Sequence, residues 1–153
     1  MQVQQIQVQL EQCALDSMTN HAEGGYPNEV CGVLFGKELD GKRVVMNTMP
    51  IENTFEEDEQ YHRFRITPQA VLAAEKLARH DRMDVLGVYH SHPNAPARPS
   101  QYDADHAAWT TWTYIILSVQ DSKVVDTRMW KLRDDRTGFE EVTGDRHDSR
   151  GRE

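Results

Sequence analysis

Two imidazoles, a hydroxyl and a carboxylate stand within fourteen positions of one another: His90, His92, Ser100 and Asp103 in "HSHPNAPARPSQYD". On a strand, side chains at i and i+2 point to one face, so His90 and His92 can converge on a single point. Two neutral imidazole nitrogens and one carboxylate oxygen suit a divalent transition metal, most often zinc. Three protein ligands leave a fourth position open, which is the pattern of a catalytic zinc site rather than a closed structural one. Each part also has a plainer reading. A His-x-His pair ending a strand is commonly surface polarity, and Ser100-x-x-Asp103 fits a helix capping box. Asp105 and His106 are rival ligands, read here as helix-face residues, while His21, His62, His80 and His147 sit in polar segments without a spacing signal.

The elements around these residues are legible from pattern. "DVLGVYH" (84–90) is apolar and β-branched enough for a central strand, which Pro93 ends by removing a backbone donor. Ser100 then opens a helix expected to run through "SQYDADHAAWTTW" (100–112), with Asp103 in its first turn. Upstream, "LEQCALDSMTNHA" places Leu10, Ala14, Met18 and Ala22 on one helical face before "EGGYP" breaks it. "VCGVLFG" (30–36) and "KRVVMNTMPI" (42–51) read as strands joined through an Asp40-Gly41 turn. Residues 52–61 form an acidic loop, read as a solvated connection. Thr67 caps a helix with Pro68 at its first position, and Val71, Ala74, Leu77 and Ala78 form its inner face. "TYIILSV", "VVDTRMWKL" and a short "FEEV" are further strands. The order predicts an α/β (mixed α+β) domain, one mixed sheet with helices on its faces. Residues 1–143 are read as one domain and 144–153 as a polar, unordered tail.

Bulk properties narrow the function classes. A chain of 153 residues can bury enough surface for a core without staples. Its formal charge of −8, from 25 acids against 17 Lys and Arg, argues against a nucleic-acid surface. Cys13 and Cys31 allow one disulfide at most and no cysteine-based zinc site. No membrane span or signal peptide is visible, so neither a membrane partner nor export is expected and the default location is cytoplasmic.

The combined pattern is more specific than its parts. His90-x-His92, seven residues, Ser100, two residues and Asp103 resembles the signature of the JAMM (MPN-plus) metalloproteases. "YPNEVCGVLFG" likewise resembles that family's upstream segment, where a glutamate precedes a Cys-Gly-x-Leu-type strand. The resemblance covers about residues 8–135 and looks most like the small stand-alone prokaryotic members. It implies the MPN fold, related in layout to cytidine deaminases. It implies one zinc per chain on His90, His92 and Asp103, Glu29 as general acid/base, and Ser100 as an oxyanion donor. Taken by itself, Glu29 reads only as a solvated residue ahead of a strand. The activity implied is hydrolysis after the C-terminal Gly-Gly of a ubiquitin-like or sulfur-carrier protein. A homodimer is among the assemblies allowed. Two other classes stand beside it: an MPN scaffold without metal, which usually lacks one or more of the five positions, and a zinc deaminase, whose H-x-E and P-C-x-x-C the chain does not contain.

Overall fold

Eight strands form in the computed structural model, which describes residues 7–107, 109–142 and 144–147. They are β1 (Gln7–Glu11), β2 (Cys31–Leu39), β3 (Lys42–Ile51), β4 (Asp84–Pro93), β5 (Thr113–Gln120), β6 (Lys123–Leu132), β7 (Phe139–Val142) and β8 (Gly144–His147). The helices are α1 (Gln12–Gly25), α2 (Pro68–His80) and α3 (Gln101–His106), with a single 3-10 turn at Glu57–Glu59. All eight strands join one mixed sheet in the order β7-β6-β5-β4-β2-β3-β1-β8. The expected fold class is the one observed.

β4 lies near the middle, antiparallel to β2 and parallel to β5. The β4–β5 crossover contains α3, so the chain that leaves the histidine strand returns beside it carrying Asp103. One face of the sheet is covered by α1, whose Ala14, Met18 and Ala22 are buried against Leu34, Val45, Tyr89 and Ile115. The other face takes α2, through Ala74 and Ala78 against Val33 and Phe35. Sequestering each large side chain in these layers contributes roughly 1.5–3 kcal/mol. The β2–β3 turn is the expected one: Asp40 and Gly41 both have positive φ (52° and 77°), as a two-residue hairpin turn requires. Thr67 caps α2 by accepting from the Ala70 amide at 3.1 Å, and Pro68 opens it.

Several expectations are corrected. Leu10 belongs to β1 rather than α1, although it is fully buried as expected. Leu77 is 42% exposed and Val71 only half-buried, because two alanines suffice to seat α2 closely on the sheet. α3 stops at His106 instead of running to Trp112. There the Tyr114 hydroxyl engages both the Trp109 amide and its carbonyl, taking groups a continuing helix would use, and Trp109 stacks on Trp112 at 4.1 Å. Gly144–His147, placed in the unordered tail, instead pair parallel to β1 from Val8↔Gly144 to Glu11↔His147. An edge strand such as β1 offers a row of unpaired backbone groups, which this pairing satisfies. Residues 148–153 lie outside the described residues. Cys13 and Cys31 are both free thiols. No helix among the described residues is long and apolar enough to cross a membrane.

Candidate metal centre

His90 and His92 occupy alternate positions near the C-terminal end of β4 and point to the face that carries α2 and α3. Both side chains are buried, at 5% and 8% exposure. Their Nε2 atoms lie 3.0 Å apart. The seven residues that follow are held carbonyl by carbonyl. Ser118 Oγ donates to Ala95 O (2.6 Å), His92 Nδ1 to Pro96 O (2.8 Å) and Trp130 Nε1 to Ala97 O (3.1 Å). This loop delivers Ser100 to the N-cap of α3 and Asp103 to its third position.

Asp103 Oδ2 then stands 3.1 Å from His92 Nε2 and 3.3 Å from His90 Nε2. The three side chains offer one nitrogen, one nitrogen and one oxygen, all within 4.8 Å of one another. The tautomer of His92 tests whether a metal fits. Pro96 O can only accept, so His92 Nδ1 carries a hydrogen and Nε2 is the ring atom turned toward the Asp103 carboxylate oxygen. A proton or a metal cation can bridge two such atoms in a buried site, and the donor set of two imidazole nitrogens and one carboxylate oxygen is compatible with a metal. The same surroundings attract positive charge. Burial works against a charged His92, but Asp103, the Pro96 carbonyl and Glu29 outweigh it and hold its pKa above the ordinary imidazole value. Burial likewise opposes the Asp103 carboxylate, yet His90, His92 and the Ser100 amide keep its pKa well below the usual range.

The capping box and the donor group are built from the same atom. Asp103 Oδ2 accepts from the Ser100 amide at 2.9 Å while Ser100 Oγ accepts from the Asp103 amide at 3.1 Å. The two readings of Ser100-x-x-Asp103 therefore coexist, since a carboxylate oxygen has a second lone pair to offer. Ser100 uses its oxygen as an acceptor, which leaves the hydroxyl proton for another partner. Asp105 is engaged by Gln101, and His106 Nδ1 by the Tyr102 carbonyl, away from the group.

Glu29 joins the site from the stretch just ahead of β2. Cys31 pairs with His90 in the β2–β4 register, and the buried Ser91 accepts from the Val30 amide at 2.9 Å while donating its own amide to Val30 O. One step further along that ladder sets Glu29 beside His92. It is 8% exposed rather than solvated. Burial raises its carboxyl pKa, partly offset by His90 and His92 and reinforced by Asp103. A buried carboxyl with its pKa raised in this way is suited to holding and releasing a proton. Cys31, next in line, has its thiol pushed up to about 12 by burial and by Glu29.

The acidic loop is mostly exposed, as expected, but it and the residues after it also reach the site. Gln60 O accepts from the Glu29 amide, Phe64 stacks on His90 (4.5 Å, 25°), and a cavity of about 340 Å³ opens beside His90 and Asp103. Its walls include Phe64, Ile66, Val88, Ile116 and Trp109. These contacts join segments distant in sequence, and only the Asn-x-Phe turn at residues 53–55 left a local signal of them.

Comparison with known proteins points the same way as the geometry. The chain is 32% identical over 109 residues to a desampylase of Haloferax volcanii, covering 69% of this chain and 76% of that protein. It is 28% identical over 120 residues to the CysO-cysteine peptidase of Mycobacterium tuberculosis, covering 78% and 79%. A solution structure of a Desulfitobacterium hafniense protein superposes with a TM-score of 0.79 at 29% identity, over 93% of this chain and 94% of that one. The family model of prokaryotic homologs of the JAB domain matches residues 11–133, from the start of α1 through β6 and so across every residue of the site. The chain belongs to that family.

Proposed function

We propose that this chain is a zinc-dependent peptidase or isopeptidase that cleaves the bond after the C-terminal Gly-Gly of a ubiquitin-like or sulfur-carrier protein. The observation that carries the reading is the buried His90–His92–Asp103 donor group with the raised-pKa carboxyl of Glu29 at its side. His90, His92 and Asp103 hold the metal. When bound there, zinc supplies Lewis acidity, lowering the pKa of water and polarising a carbonyl. Glu29 accepts the proton of the attacking water and passes it to the leaving amine. The Ser100 hydroxyl donates to the oxygen on which negative charge develops. No side chain forms a bond to substrate, so a protonated, buried Cys31 is consistent with the scheme. The names of the relatives, a desampylase and a CysO-cysteine peptidase, support carrier conjugates as the substrate class.

The test uses purified protein with stoichiometric zinc and carriers ending in Gly-Gly, extended by cysteine or joined to a lysine side chain. Intact mass should show release of the group beyond the second glycine, lost in chelator and restored by zinc. Cleavage unaffected by chelator, or none from a zinc-replete protein across the carrier set, refutes the proposal.

A further inference from the structure

We infer that Asn53 is a positioning residue for Glu29: together with Gln60 it fixes the Glu29 peptide, so the loop and not the sheet alone sets where that carboxyl stands. β2 begins at Cys31, and the sheet holds the chain only as far back as Val30, through Ser91. Both backbone groups of Glu29 are taken by the loop instead. Its amide donates to Gln60 O at 2.7 Å, and its carbonyl accepts from Asn53 Nδ2 at 3.0 Å.

The Asn53 side chain is fully used. Its second N–H donates to Arg63 O (2.9 Å), and its oxygen accepts from the Phe55 and Arg65 amides (3.0 and 3.2 Å). Gln60 Nε2 closes the unit by donating to Asn53 O (3.0 Å) and Phe55 O (2.8 Å). One amide group therefore ties Glu29 to the stretch that lays Phe64 on the His90 ring and Arg63 over Tyr102. The acidic side chains of the loop, Glu52, Glu56, Glu57, Asp58 and Glu59, are exposed and take no part in this unit. Its polar amides do the work that its composition hides. Because a displacement of about 1 Å at a reacting group can cost about 100-fold in rate, the hold on this peptide matters to turnover.

The inference rests on Glu29 acting as the proton-transfer group. Its test compares Asn53→Asp, Asn53→Ala and Glu29→Gln as zinc-loaded protein on a cleavable carrier conjugate. Aspartate keeps an acceptor for the Phe55 and Arg65 amides but turns a charged oxygen toward the Glu29 and Arg63 carbonyls, so it releases both of them while the 53–55 turn bonds can still form. Alanine removes all four bonds. The Asn53 variants should retain one zinc per chain, hold KM within about threefold and lose kcat by about tenfold to 100-fold. Amide hydrogen exchange at Glu29 should quicken in both. Asn53→Asp with kcat within twofold of wild type, or with unchanged Glu29 exchange, overturns the inference, as does a loss carried by KM or by zinc content. If Glu29→Gln turns over at the wild-type rate, the proton role of Glu29 fails. If it is inactive beside a fully active Asn53→Asp, only the role of Asn53 fails.

Discussion

One oxygen of Asp103 caps α3 and, in the proposed site, would also hold the metal, and two substitutions separate these roles. Asparagine keeps an acceptor for the Ser100 amide but not the carboxylate, whereas alanine removes both. A capping interaction of this kind contributes about 1 kcal/mol, within roughly 0.5–2. For a domain of this size each kcal/mol moves the melting temperature by about 2–4 °C. The metal-free Asp103→Ala protein should therefore melt about 1–8 °C below metal-free Asp103→Asn. Both lose the same charge beside His90 and His92, so that contribution cancels in the comparison. Zinc content should fall far below one per chain in both, since disturbing only the partners of a metal ligand already costs about 10–100-fold in affinity. Melting in chelator, followed by circular dichroism, and elemental analysis after desalting supply the two readouts. Variants that melt within a degree of each other would show that the cap contributes nothing. Full zinc in either would remove Asp103 from the ligand set.

Glu29→Gln should keep its zinc and lose about 10²–10⁴ in turnover, and a rate near wild type contradicts the assignment. Because burial raises the Glu29 pKa, ionisation of this carboxyl opposes folding. The metal-free Gln variant should then match wild type below the ordinary carboxylate pKa and exceed it by a margin that widens as pH rises toward the raised value, read by thermal melts across that range. Ser91→Ala leaves the buried Val30 amide without its 2.9 Å acceptor, a loss of about 1–3 kcal/mol, and a melting shift under one degree would refute it. Native protein treated with iodoacetamide near pH 8 should take one adduct, on exposed Cys13, and a second only after denaturation, because the Cys31 thiol is buried and pushed up to about 12. Two adducts on native protein, by intact mass, would count against the placement of Cys31.

What the sequence reveals here is what lies close together in it. The histidine spacing, the Ser100 cap, the Thr67-Pro68 helix start and the Asp40-Gly41 turn each rest on a few neighbouring residues, and each is found in the structure. Glu29 has no local mark; only its likeness to a family segment singled it out, and burial beside His92 depends on a β2–β4 pairing across about sixty residues. The loop 52–61 is solvated over most of its length, as its charge predicts, but its inward contacts have no local mark. Its charge is visible in composition, while the amide contacts of Asn53 and Gln60 reach across to Glu29 and Arg63. The early end of α3 and the pairing of β8 with β1 likewise follow from partners that no local window contains.

The loop between His92 and Ser100 has a consequence for descent by insertion and deletion. Three successive carbonyls, of Ala95, Pro96 and Ala97, are each fastened to a different strand, through Ser118, His92 and Trp130. Adding or removing one residue there would shift every fastening by a place and carry Asp103 off its mark. The β6–β7 connection at Gly138, where an added side chain meets nothing, has no tie to the site and can lengthen without moving it. The seven-residue interval is thus a fixed ruler inside an otherwise adjustable chain.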